Sequence, residues 1–195
     1  MPSTKPATRL KIAGICGVAS PIVAFTCIFL TISLSPWFNW TKNALSDLGV
    51  SETSALFNLG LIISGILILV FAIGLREALS NRVLGYIGAS ILVLGAISLC
   101  GIGIFTEEYG NLHLYVSLAF FILVPISSFL IGASMMQAPS EKMLGTFIIL
   151  AGIAAIVVWV FPWEGLAIPE TISSFANSMW SVILGTKLAT QTRSV

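Results

Sequence analysis

The sequence predicts an all-α, polytopic membrane protein: a compact bundle of six transmembrane helices, with both termini on the inner side. Three observations predict it. The 195 residues are 57% hydrophobic and only 9% charged, far too little charge to clothe a soluble domain of this length. Mean hydropathy is +1.03, and the apolar residues gather into six runs near the length a helix needs to cross a bilayer. The basic residues fall almost wholly on one side of those runs, as cytoplasmic loops require.

The runs are 12–34, 56–75, 83–105, 112–136, 144–161 and 169–188, and the whole chain, 1–195, reads as one transmembrane domain. The first follows Lys5, Arg9 and Lys11 and has the look of a signal peptide. It is longer than the ~7–15 residues of a signal core. Pro36 also follows the small-residue site Ser33-Leu34-Ser35, so the run is expected to stay as a helix. Pro21 and Pro125 are expected to kink their helices. The sixth run, "PETISSFANSMWSVILGTKL", places Glu170, Ser174, Asn177, Ser181 and Gly185 along one helical face. Such a stripe is costly against lipid and should face the bundle interior, as a cavity lining or as helix–helix glue.

With the N-terminus inside, the inner segments hold Lys5, Arg9, Lys11, Arg76, Arg82, Lys142, Lys187 and Arg193, and the outer loops hold Lys42 alone. The acids divide the other way: Asp47, Glu52, Glu107, Glu108, Glu164 and Glu170 are outer, Glu77 and Glu141 inner. The inner connections "REALSNR" and "QAPSEKM" are short and ordinary. The outer loop 35–55 is the longest. Its Trp37, Phe38 and Trp40 suit the membrane interface. The i, i+4, i+8 spacing of Trp40, Ala44 and Leu48 predicts a short interfacial helix stopped by Gly49. Ser51 is expected to cap the second span.

The stretch "GIFTEEYGNLH" holds the only histidine, His113, beside the adjacent carboxylates Glu107 and Glu108. Asn111 is the expected N-cap of the fourth span, with His113 in its first turn. Helix-end amides and nearby acids pull an imidazole in opposite directions, a setting for a histidine poised near neutral pH. The equally simple reading is a rim histidine bonded to a backbone carbonyl beside solvated acids. The candidate ligand-binding set is Asp47, Glu107, Glu108, His113, Glu170 and Asn177.

Several chemistries are excluded. One histidine cannot supply paired haem ligands or a His-rich zinc site. No cofactor is expected, and a single metal ion would have only His113 and carboxylates to hold it. Cys16, Cys27 and Cys100 lie inside apolar runs without CxxC spacing and read as buried hydrophobes. There is no Gly-rich phosphate loop, no GxSG nucleophile and no basic patch for nucleic acid. The spans carry no mid-bilayer charge of the kind a proton pump uses.

Two stretches carry a family likeness. "NALSDLG", with Ser46, Asp47, Leu48 and Gly49, follows the first span; Gly103, Phe105, Glu107, Glu108 and His113 link the third and fourth. Over most of its length the chain resembles the six-span integral-membrane family called Domain of Unknown Function 998. That resemblance implies a fold and no activity.

Three functions compete. The first is a cell-membrane protein whose acidic, His-containing pocket faces the outer leaflet and binds or transports a lipid head group, a cation or a small polar molecule. The second is a structural or partner-binding membrane protein. The third is an outer-leaflet lipid hydrolase or transferase, with His113 as base assisted by Asp47 or Glu108.

Overall fold

The computed structural model describes residues 5–190. Six helices occupy the six apolar runs: α1 (Lys5–Ser33), α2 (Ser54–Ala78), α3 (Val83–Ile104), α4 (Asn111–Met136), α5 (Lys142–Val157) and α6 (Ala167–Thr190). No strand occurs among the described residues. Five of the helical segments are long and apolar enough to cross a membrane. α6, with 24 residues, extends ~36 Å at ~1.5 Å per residue; its polar stripe is what lowers its apolar character.

Each helix packs on its neighbours in sequence, and α6 closes onto α1, so the bundle is a ring. α6 runs antiparallel along α1, with Gly185 and Ala189 against Gly14, and Phe175 edge-on to Phe25. The closure needs glycine: a Cβ on Gly14 would lie 2.4 Å from both the Ala189 nitrogen and the Gly185 carbonyl oxygen. Close backbone approach of this kind is how helices associate where lipid offers no hydrophobic drive.

Hydroxyls hold the same seams. Ser20 Oγ donates to the Ser64 carbonyl at 2.9 Å, and Ser64 Oγ donates back to the Ser20 carbonyl at 3.2 Å. Pro21 has no N–H, so the Gly17 carbonyl loses its helical donor. Ser181 Oγ of α6 donates to that carbonyl instead, at 3.3 Å.

Antiparallel alternation sorts the charges. Arg76, Arg82, Lys142 and Lys187 gather at one end, called here the basic end; Asp47, Glu107, Glu108 and Glu170 gather at the other, the acidic end. Arg193 lies outside the described residues. At the basic end the connections are not merely short links. Glu141 forms ion pairs with both Arg82 and Lys187, joining the α2–α3 loop, the α4–α5 connection and the last turns of α6. Beside it the Arg76 guanidinium sits 4.4 Å over the Tyr86 ring and donates to its hydroxyl.

The first loop departs from its expected form. It makes no interfacial helix over 40–48; a single 3-10 turn, Ser46–Val50, is drawn into the mouth of the ring. Leu45 is 6% exposed and Leu48 is fully buried, packed with Ile28, Phe57, Leu61, Leu99 and Ile102. Two forces overrule the helical spacing. Asp47 Oδ2 accepts from Asn43 Nδ2 at 2.6 Å and from the Ala44 N–H at 3.1 Å, a local side-chain–backbone arrangement that competes with helix. The apolar mouth of the ring also needs a cover, which Leu45 and Leu48 provide.

Candidate functional site

The α6 N-terminus is the best-defined polar feature of the acidic end. A helix start leaves backbone N–H groups without partners. Here the Asn43 carbonyl accepts from the Ala167 N–H at 2.9 Å, and the Glu170 carboxylate reaches back to accept from the Leu45 N–H at 2.6 Å. Loop and helix thus satisfy one another. Pro169, the third residue of α6 and not the first, has no N–H to satisfy.

Glu170 is only 9% exposed. Its Oε2 holds the Leu45 bond; its Oε1 takes no hydrogen bond from any described residue, and no basic side chain pairs with it. Asp47 and Glu107 are close enough for their charges to act on it, because the Ser46–Val50 turn packs on the 3-10 turn Glu107–Tyr109. Three of the six candidate residues therefore share one electrostatic region.

The other three do not join them. Glu108 is exposed to solvent. His113 is engaged in the fold: its Nδ1–H donates to the Phe105 carbonyl at 2.7 Å, and Ser117 Oγ meets Nε2 at 3.3 Å. The Phe105 carbonyl follows the last turn of α3, so His113 staples the end of α3 to the start of α4. Asn111 is not the N-cap of α4. Gly110 takes that position with φ +55°, a left-handed conformation that glycine adopts without strain. Thr53, not Ser51, precedes α2, while Ser51 Oγ bonds the Leu48 carbonyl.

Asn177 sits two helical turns deeper than Glu170, ~10 Å along α6. It is buried and occupied: its amide donates to the Ser173 carbonyl at 3.0 Å and its Oδ1 accepts from Ser128 Oγ of α4 at 3.2 Å. Ser181 and Gly185, deeper still, serve the α1 seam described above. The stripe therefore has two uses, with glue at the basic half of α6 and cavity lining at the acidic half.

A narrow cavity follows that half down the middle of the ring. Its upper part, about 50 Å³, is bounded by Leu45, Ser117, Glu170 and Ser174 among apolar walls. Its lower part, about 80 Å³, reaches Ser20, Asn177 and Ser181. Ile28, Leu61, Leu99, Phe120 and Ser174 border both parts. Among the described residues, no three His, Cys, Asp or Glu side chains come together in a way that would hold a metal ion.

Long apolar helices closed into a ring, with charge confined to the ends and one polar line inside, define a multi-pass membrane protein. Within that class the chain belongs to the family described as "Protein of unknown function (DUF998)", whose model matches residues 18–187. The match takes in the first loop, His113, Glu141 and Glu170 alike. No curated protein and no solved structure matches the chain.

Proposed function

We propose that this protein binds the cationic, hydrogen-bond-donating head of a small amphiphile at Glu170, in the cell membrane, with both termini cytoplasmic and the acidic end outward. The orientation rests on the segregation of basic residues. The observation that carries the binding reading is the half-satisfied carboxylate: nine-tenths buried, on a cavity wall, with one oxygen unpartnered.

A buried carboxylate short of partners takes up a proton or pairs with a cation. Removing a carboxylate from water costs several kcal/mol, and one hydrogen bond to a charged group returns only ~1.5–3 kcal/mol. An ammonium donating to Oε1 would offset the difference. Asp47 and Glu107 add negative field, and Lys42 is the only basic residue of the outer loops under this orientation. Ser174 offers a polar contact below. His113 is left out, because its Nδ1 serves the α3–α4 staple and its Nε2 meets Ser117 of its own helix.

The test is binding of dodecylammonium, a single-chain amine, to protein in uncharged maltoside micelles. Wild type should bind saturably, and Glu170→Gln should weaken binding at least tenfold while keeping the Leu45 bond through its amide oxygen. Equal affinity in the two proteins would remove Glu170 from any site.

A further inference from the structure

We propose that the Glu170 site is filled from the side, through the lipid, and that its natural occupant is a zwitterionic phospholipid of the acidic-end leaflet with a primary-ammonium head. The inference rests on the reading of Glu170 as a head-group anchor and adds the route and the ligand class.

The route follows from which walls are closed. From above, the way to Glu170 is stopped by Leu45 and Leu48, 6% and 0% exposed, and the loop carrying them is tied to α6 through Asn43 and Leu45. From the side a surface groove leads to Glu170. α5 has 16 residues between neighbours of 26 and 24. Its α-helix stops at Val157 and a 3-10 turn, Val158–Val160, completes a span of 22 residues, Pro139–Val160. There a groove of about 480 Å³, walled by α4, the end of α5, Trp159 and the start of α6, opens on the outer surface.

The groove and the inner cavity share a wall. Ser117, Phe121 and Glu170 line both, so one layer of side chains separates the bundle interior from the bilayer. The groove runs along α4 from Leu114 to Ile126, ~18 Å at ~1.5 Å per residue. One leaflet of a ~30 Å hydrocarbon core is about that deep. Its aliphatic walls stand half-exposed, Leu114 at 50% and Ile122 at 54%, as a surface for an acyl chain would.

The head group follows from two incomplete polar partners. Glu170 Oε1 lacks a donor. Trp159, which lines the same groove and packs edge-on to Phe121 with ring centroids 4.9 Å apart, has a buried Nε1–H without an acceptor. An ammonium for the carboxylate, and a phosphate for the indole once the ring turns its N–H to the groove, would be the two halves of one zwitterionic head.

The test is native mass spectrometry of protein released from nanodiscs containing equal parts of dimyristoyl phosphatidylethanolamine and phosphatidylglycerol. Wild type, Glu170→Gln, Ser117→Trp and Leu118→Trp are compared. Ser117→Trp fills the shared wall; Leu118→Trp, at a side chain 48% exposed on the bundle surface, crowds the groove without touching the core. Wild type should retain ethanolamine lipid over glycerol lipid by about tenfold, and all three variants should lose that preference. Retention in both groove variants with loss in Glu170→Gln would overturn the lateral seat and leave Glu170 as an anchor. Equal retention of the two lipids, or of none, by wild type would overturn the zwitterionic ligand. Dodecylammonium binding then decides separately whether the Glu170 reading survives.

Discussion

Two glutamates, one at each end of the bundle, stand in similar places and are treated oppositely. Glu141 joins three parts of the chain at the basic end and meets a cation on each side, Arg82 and Lys187. Glu170 joins a loop to a helix at the acidic end, is more deeply buried, and meets one backbone N–H. The first carboxylate is complete within the fold. The second has one hydrogen bond and no cation beside it. Burial alone therefore does not distinguish the two carboxylates; the number of partners does.

The largest expected effect tests what closes the acidic end. Leu48→Ala empties a fully buried position and should cost ~2–4 kcal/mol, seen as a lower thermal midpoint in detergent. It should also make Glu170 reachable from water, so that a water-soluble amine such as ethanolamine protects against unfolding in this variant and not in wild type. Protection in wild type would mean that the loop is no barrier.

Next is the basic end. Glu141→Gln leaves Arg82 and Lys187 facing each other without their shared anion. The groups are partly exposed, with side chains 34% and 35% accessible, so solvent screening reduces the loss to ~1–2 kcal/mol. Dodecylammonium affinity should not change. A change would mean that the two ends are coupled through α6.

His113→Ala removes the staple to the Phe105 carbonyl and should cost ~1 kcal/mol, with amine binding altered less than twofold. A large loss of binding would return the histidine to the site. The smallest stability effect belongs to Glu170→Gln, within ~0.5 kcal/mol of wild type, because the amide oxygen still accepts from Leu45. The same substitution should have the largest effect on ligand.

Much of the fold was legible. Six apolar runs and a one-sided distribution of basic residues are set by bilayer thickness and membrane charge, and neither depends on tertiary detail. The stripe on α6 was also legible, since helical spacing fixes which side chains share a face. The loops were not. Trp40, Ala44 and Leu48 have helical spacing, yet Asp47 binds its own backbone and Leu48 is drawn inward by a mouth that exists only once the ring has closed. The candidate site was half legible for the same reason. Glu170 was placed by its own helix, whereas His113 and Glu108 depended on how a turn folds. The Glu141 cluster went unread, because Arg82, Glu141 and Lys187 come from three separate segments and no spacing links them. The early end of α5 is a tertiary fact too, and with it the groove.

The most direct measurement compares Glu141→Gln and Glu170→Gln side by side, reading thermal midpoint and retained phospholipid on the same preparations. The expected outcomes are opposite: Glu141→Gln melts several degrees lower and keeps its lipid, while Glu170→Gln melts no lower than wild type and loses it. If Glu170→Gln melted as low as Glu141→Gln and held its lipid unchanged, both carboxylates would be structural, and the distinction drawn between the two ends would be wrong.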